Sequence, residues 1–356
     1  MFGDRLIRAR AASGLSQVKL GQAAGVSANM IKKYEHDQSM PSSAVLIKLS
    51  KTLNVRAEYF FRPLEVELKN VEYRKRANTP KKLLKRIHAD VVDQVERWLQ
   101  LADLWPNFPI DAFQQPTDLP DTIASIEAVD TFADAVREQW GLGLNPIPDV
   151  IDLLESKGIW VIVTDIEKTA KFDGLQAEVD GTPVIVVSAN WPGDRQRFTL
   201  AHELGHLLVQ GRLSAALDEE AVCNRFASAF LLPQKTFSAQ LGQQRHNLEV
   251  RELYLLKHEF GVSMAACLFR AKDLSIITEL QATQTFKTFS RKGWRKQEPG
   301  EAYPSEKTVL FEQLVYRALS DGIISESKAA ELMGTSLMAF HQQRQLEGQL
   351  NAATDQ

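Results

Sequence analysis

Apolar residues recur at helical spacing through most of this chain, and strand-like runs are confined to one short region. The helical segments are separated by glycine, proline and serine, residues that end or cap helices. Strand-like runs occupy residues 159–163, 174–179 and 184–187, and the Asp180-Gly181 pair predicts a hairpin between the last two. The pattern therefore predicts a mainly α protein with a small β-sheet, an α+β fold.

The same pattern divides the chain into four predicted parts. Residues 1–62 form a small domain of five short helices, and residues 63–120 form a basic, amphipathic helical linker. Residues 121–280 form a larger domain that holds the strands, and residues 281–356 form a helical C-terminal region to which we assign no role. In the linker, apolar residues recur at helical spacing over 81–104, which predicts a long helix packed on the larger domain or on a second subunit.

Charge is unevenly distributed. Residues 1–100 contain 19 lysines and arginines against 10 aspartates and glutamates, whereas the remaining residues contain 23 against 35. The excess of basic residues in 1–100 favours a polyanionic partner for this part of the chain, whereas the acidic remainder does not. No apolar run reaches the roughly 18 residues of a membrane span, and the N-terminus lacks a signal peptide's apolar core. We expect a cytoplasmic protein without a membrane partner.

The two cysteines, Cys223 and Cys267, are too few and too far apart for a disulfide scaffold or a thiolate zinc site. Both are expected in the core.

A turn pattern begins at Ser16. Ser16 and Ser27 stand where two successive helices need caps, and Gly25 permits the tight turn between them. The arrangement S-Q-x-x-L-x-x-x-A-G-V-S-x-x-x-I-x-x-x-E from Ser16 to Glu35 resembles the XRE or phage-repressor helix-turn-helix family. The resemblance implies that the third helix enters the major groove of operator DNA and that two subunits bind as a homodimer.

Six residues are candidate DNA contacts under this resemblance: Gln17, Ser27, Ala28, Asn29, Lys32 and Lys33. Gln17 and Ser27 are placed to hold phosphate, and Ala28 can touch a thymine methyl group. Asn29 can pair with adenine, and lysine can reach guanine. A phosphate-contacting or solvated role for Lys32 stays open.

A second pattern lies in the apolar helical run 198–209, which contains His202, Glu203 and His206. Residues four apart share a helix face, so both imidazoles can bind one metal ion. Glu203 lies beside the first histidine and can accept a proton from a water that the ion acidifies. Unpartnered polar groups in such a run would be costly, and a bound ion removes that cost. We therefore prefer metalloprotease chemistry to two structural histidines.

A catalytic zinc ion normally takes a third protein ligand and leaves its fourth position to water. The helical run 218–233 offers Glu220, with Glu219 as the alternative. Both could instead be solvated acids that complement the start of a helix.

The run D-R-Q-R-F-T-L-A-H-E-L-G-H from Asp194 to His206, followed by E-A-V-C-N-R-F-A from Glu220 and F-L-L-P from Phe230, resembles the ImmA/IrrE family of zinc metallopeptidases. The resemblance implies that His202, His206 and Glu220 bind zinc, with manganese as the alternative ion, and that Glu203 is the catalytic base. Members with known activity cleave helix-turn-helix repressors.

Two functions of different class follow. The first is a DNA-binding regulator, associated with the bacterial nucleoid, whose endopeptidase domain cleaves a repressor-type protein, either itself or a partner. The basic stretch 71–82 is then the expected cleavage region. The second is a non-proteolytic repressor or antitoxin-type regulator whose metal domain senses a ligand or metal. Glu203 favours the first, because a structural site needs no base; the fusion favours the second, because an active peptidase joined to its own substrate class would destroy itself.

Overall fold

The computed structural model describes residues 2–62, 68–75, 81–165 and 172–345. Contacts divide the chain into two compact units. Unit 1 comprises Met1–Lys69, Ala77–Pro109 and Val309–Gln356, and unit 2 comprises Asn70–Arg76 and Ile110–Thr308. These units differ from the four predicted parts, because the linker helix and the last helices pack with the N-terminal ones. The predicted fold class, mainly α with a small sheet, is confirmed.

The N-terminal helices of unit 1 follow the predicted caps and turns. They are α1 (Phe2–Ala12), α2 (Gln17–Ala24), α3 (Ala28–Glu35), α4 (Ser43–Leu53) and a 3-10 helix (Ala57–Phe61). The hydroxyls of Ser16, Ser27 and Ser42 each accept a hydrogen bond from the amide three residues on. Gly25 ends α2 with a left-handed φ of 74°. Apolar side chains from all four helices, including Leu6, Leu20, Ile31 and Leu49, form one buried core.

Helix α5 (Lys81–Ala102) packs on α1 within unit 1. Glu96 on α5 is buried and pairs with Arg5 and Arg8 of α1. The Arg5 side chain is 1% exposed and also lies over the Tyr59 ring, 5.1 Å from its centroid. The linker helix was expected on the larger domain or on a second subunit; these buried charges instead fix it to the N-terminal domain.

The last described helices, α14 (Leu310–Ser320), α15 (Glu326–Leu332) and α16 (Leu337–Arg344), complete unit 1. Phe311 packs edge-on against Trp98 of α5, with ring centroids 5.0 Å apart. Glu331 pairs with Arg62 at 2.5 Å, and Arg56 donates to the Ser327 carbonyl at 3.0 Å. Helices α14 and α15 therefore contact both α5 and the segment that follows α4.

Helices α15 and α16 repeat the local geometry of α2 and α3. In each pair a serine caps the first helix, a left-handed glycine follows nine residues later, and a second serine caps the next helix: Ser16, Gly25 and Ser27, then Ser325, Gly334 and Ser336. The charges differ, because the positions of Lys32 and Lys33 are taken by His341 and Gln342. Helix α16 still carries one arginine, Arg344, in its last turn.

Unit 2 contains a four-stranded sheet in the order β1-β3-β4-β2. The strands are β1 (Lys69–Lys75), β2 (Trp160–Thr164), β3 (Phe172–Val179) and β4 (Thr182–Ser188). Strands β3 and β4 form the predicted hairpin, with both Asp180 and Gly181 at positive φ as a type I′ turn requires. Strand β2 pairs with β4 in parallel. One face of this sheet packs on the helix that carries the histidine motif.

The helices of unit 2 surround a single large core. They are α6 (Ala128–Gln139), α7 (Val150–Ser156), α8 (Gly193–Val209), α9 (Glu219–Leu231), α10 (Gln234–Leu241), α11 (Val250–Phe260), α12 (Met264–Asp273) and α13 (Glu279–Arg291). Both cysteines are buried and unbridged, as expected. Among the residues that the structure describes, no helix has the length and apolar character needed to cross a membrane.

The Glu96 carboxylate provides a test of how α5 is held. We expect Glu96→Gln to lower the free energy of unfolding of unit 1 by about 3–5 kcal/mol, because it leaves the buried Arg5 guanidinium without a counter-charge. The matched control is Asp93→Asn on the same helix, which removes a partly exposed pair with Arg97 and should cost under about 1 kcal/mol. Urea unfolding of the full chain measures both; equal losses would show that Glu96 is not the anchor.

Candidate functional site

Helix α8 carries His202, Glu203 and His206, the three residues that its sequence singles out. The two imidazole rings lie one turn apart, and their Nε2 atoms are 3.1 Å from each other. The His202 side chain is fully buried, and that of His206 is 11% exposed. The helix therefore presents two imidazole nitrogens at one point, at the edge of the buried core.

Helix α9 crosses α8 closely at Gly205. A Cβ atom at this position would lie 3.1 Å from the Phe226 ring and 3.3 Å from the Cys223 Cα. The contact places the first turn of α9 next to the histidines: the Glu220 carboxylate oxygens lie 3.4 Å from His202 Nε2 and 3.4 Å from His206 Nε2. The close approach of two helices thus positions Glu220.

The groups of His202, His206 and Glu220 can hold a metal ion, since one ligand atom from each lies within 4.8 Å of the others. Two imidazoles and one carboxylate are a donor set that zinc takes in catalytic sites, with a fourth position left open. A second possible group combines His206 with Glu219 and the buried Cys223. The first set fits better, because it uses both Nε2 atoms that face each other.

The second nitrogen of each imidazole has its own partner. His202 Nδ1 lies 3.0 Å from Asn224 Oδ1, and His206 Nδ1 lies 2.8 Å from Glu219 Oε1. Amide and carboxylate oxygens accept hydrogen bonds, so each Nδ1–H donates here, and the contact orients the ring with Nε2 toward the point where a metal would bind. Glu219, the alternative third ligand that the sequence offers, therefore contacts the outward nitrogen of His206. Asn224 was missed, although it lies one helical turn after Glu220.

Strand β3 passes directly beside Glu203. A Cβ atom at Gly174 would lie 2.7 Å from Thr199 Cγ2 and 3.3 Å from Glu203 Oε1, so only glycine allows this approach. Further along β3, Gln176 and Glu178 line a cavity of about 540 Å³ together with His206 and Glu219. One candidate ligand, His206, thus opens onto a polar cleft with β3 as one wall.

Buried ion pairs hold the two helices in place. At the start of α8, Asp194 pairs with Lys257 of α11 at 2.9 Å, and Lys257 also binds Glu298. Burial acts to lower the pKa of Lys257, but its hydrogen bonds to these two carboxylates outweigh burial and raise the pKa. On α9, Arg225 donates two hydrogen bonds to Asp130 of α6, at 2.8 and 2.7 Å. The candidate ligands therefore stand on rigid elements.

Four of the six candidate DNA contacts lie in or at the start of α3 with exposed side chains: Ser27, Asn29, Lys32 and Lys33. Ala28 is half-buried, and the Ser27 hydroxyl accepts the capping hydrogen bond from the Met30 amide. The Gln17 side-chain amide donates to Glu35 at 2.6 Å, and its phosphate contact stays a prediction. Glu35 also pairs with Arg10, so Gln17 helps to fix α3 against α1 and α2.

Comparison with family models gives two matches. The model described as an IrrE N-terminal-like domain matches residues 154–272, which include both candidate metal helices. The model described as helix-turn-helix matches residues 6–60. A separate search of curated proteins found no match to the chain. The chain thus joins an XRE-type helix-turn-helix DNA-binding domain to a domain of the ImmA/IrrE metallopeptidase family.

Proposed function

We propose that this DNA-binding regulator uses its second domain as a zinc-dependent endopeptidase that cleaves a helix-turn-helix repressor, either itself or a partner. The observation that carries the proposal is the convergence of His202 Nε2, His206 Nε2 and the Glu220 carboxylate beside Glu203. A site with only a structural role would not need a buried carboxylate next to its ligands.

In this proposal His202, His206 and Glu220 hold the metal, and Glu203 acts as the general base. A bound zinc or manganese ion supplies a Lewis acid that polarises the substrate carbonyl and makes water more acidic. Glu203 accepts a proton from the attacking water and passes it to the amine that leaves. The peptide C–N bond breaks, the water oxygen remains on the new carboxylate, and the proton ends on the new amine.

The basic stretch 71–82 remains the proposed cleavage region, with residues 76–80 outside the described part of the chain. Cleavage there would separate the helix-turn-helix from α5, whose Glu96 neutralises Arg5 and Arg8. After cleavage, Glu96 would lie on one polypeptide and Arg5 and Arg8 on another. Without the covalent link, the effective concentration of the α5 fragment at the helix-turn-helix would fall. DNA binding by the homodimer that we propose would weaken in the same step.

Metal binding can be tested ligand by ligand. Glu220→Ala should abolish stoichiometric zinc binding, because it removes one of three ligands. The adjacent Glu219→Ala is the matched control and should weaken binding by only about 10- to 100-fold, since it removes a group that orients His206. Metal analysis after purification and competition with a chelator measure both. If a triple alanine variant at His202, His206 and Glu220 keeps the wild-type metal content, the site is elsewhere.

The DNA contacts can be separated into base-reading and phosphate-binding groups. On a palindromic operator, Asn29→Ala should lose roughly 1–3 kcal/mol of discrimination at one base position. Lys19→Ala, at an exposed position of α2, should weaken specific and random DNA alike and reduce the salt dependence of binding. Fluorescence anisotropy over a range of salt concentrations measures both effects. Equal losses on the two DNAs for Asn29→Ala would remove Asn29 from the base-reading set.

The role of Glu203 distinguishes an enzyme from a sensor. Glu203→Gln should keep metal and operator binding but yield no fragments, because only proton transfer is removed. In cells this variant should act as a permanent repressor. Reporter assays and mass spectrometry of the purified chain, with zinc or manganese, provide the two measurements. Normal induction of the variant, together with an uncut wild type, would assign the metal domain a sensory role without proteolysis.

A further inference from the structure

The side of β3 that faces away from β4, here called its outer edge, belongs to the strand that contacts the candidate catalytic groups. Gly174 of β3 lies against Thr199 and Glu203, and Gln176 and Glu178 face the cavity that His206 lines. On its other side β3 pairs with β4 from Gly174 to Val179. An extended polypeptide that paired with β3 itself would therefore use its outer edge.

That edge is already occupied by a segment of the same chain. The strand order makes β1 the hydrogen-bonded neighbour of β3 on this side. Strand β1 belongs to the connection between the helix-turn-helix and α5. An added strand gains its affinity chiefly from main-chain hydrogen bonds, and β1 uses the same groups as an incoming peptide would.

We propose that the outer edge of β3 is the binding surface for an extended basic segment of polypeptide and that β1 is its resident, competing occupant. The inference rests on the proposed endopeptidase function. It adds a regulatory step: another polypeptide gains access to the cleft only after β1 leaves β3.

Charge identifies the kind of segment that this edge accepts. Two carboxylates, Glu178 and Glu219, line the cavity, and neither is a ligand in the proposed metal site. The connection that supplies β1 contains the basic run Arg74-Lys75-Arg76, followed by Lys81 and Lys82. Acidic groups around a cleft attract and retain basic segments. A basic extended segment of a second protein is therefore the partner that would replace β1.

The wild-type chain offers a first test that needs no substitution. If β1 pairs with β3, amides on both sides of β3 are hydrogen-bonded, and hydrogen exchange of residues 172–179 should be slow throughout. If the edge were free, alternate amides of β3 would exchange at the rate of exposed backbone. Exchange of the full chain, resolved to single residues, gives the answer; fast alternate amides in β3 would overturn the proposal.

A second test removes β1 from the edge. Glu72→Pro/Tyr73→Pro eliminates two successive amide donors, so one of them belongs to the β3 side whatever the register. The matched control, Glu72→Thr/Tyr73→Val, changes the same side chains but keeps both donors. Both pairs are placed in a Glu203→Gln background so that binding is measured without cleavage. Exchange in α6 and α12 serves as the check that unit 2 remains folded.

The probe is a fluorescently labelled synthetic peptide of residues 66–82, added to zinc-loaded protein and followed by anisotropy. If β1 is seated in about nine of ten molecules, the apparent affinity of the control variant for the peptide is reduced about tenfold, and the proline pair should restore it. A peptide with Arg74, Lys75 and Arg76 replaced by glutamine should bind the proline pair more weakly. Equal peptide binding by the proline pair and its control, or equal binding of both peptides, would overturn the inference.

The same proteins with Glu203 intact separate this inference from the proposed function. If the proline pair binds the labelled peptide more tightly than its control does but neither protein cleaves it, the edge is supported as a binding surface and the endopeptidase is not. If the proline pair and its control cleave the labelled peptide at the same rate, the endopeptidase is supported and β1 is not a competitor.

Discussion

The close crossing of α8 and α9 at Gly205 is the constraint on which the candidate metal centre depends. Two histidines on one helix face present two ligands, but a third must come from another element. The contact of Gly205 with Cys223 and Phe226 brings the first turn of α9 within reach of both imidazoles. Because Asp130 and Lys257 fix the two helices through buried ion pairs, the ligand geometry does not depend on a mobile loop.

Features that depend on neighbouring residues could be predicted from the sequence. The turn around Gly25, the hairpin around Asp180-Gly181 and the pairing of His202 with His206 all follow from local rules, and the first two are present as predicted. Glu219 and Glu220 could not be separated in this way, because adjacent positions on one helix turn are equivalent in spacing. Only the position of α9 against α8 assigns one carboxylate to Nε2 and the other to Nδ1.

Contacts between distant segments were beyond the sequence pattern. The apolar face of an amphipathic helix indicates that the helix packs on another element but does not identify that element. Glu96 of α5 pairs with Arg5 and Arg8 of α1, which are more than 80 residues away in the chain. The placement of β1 against β3 is of the same kind, since the alternation of Val71 and Tyr73 with polar residues does not identify the strand's partner. The last helices likewise meet α5 and Arg62 only in three dimensions.

These long-range contacts give the connection between residues 62 and 81 two structural roles. Its β1 segment completes the sheet of unit 2, while its ends lead to α4 and α5, which belong to unit 1. The covalent link keeps Arg5 and Arg8 near Glu96, so a break within it would make a buried ion-pair network intermolecular. Under the two proposals above, the same stretch would govern both access to the candidate peptidase cleft and the integrity of unit 1, so a single event there would change both.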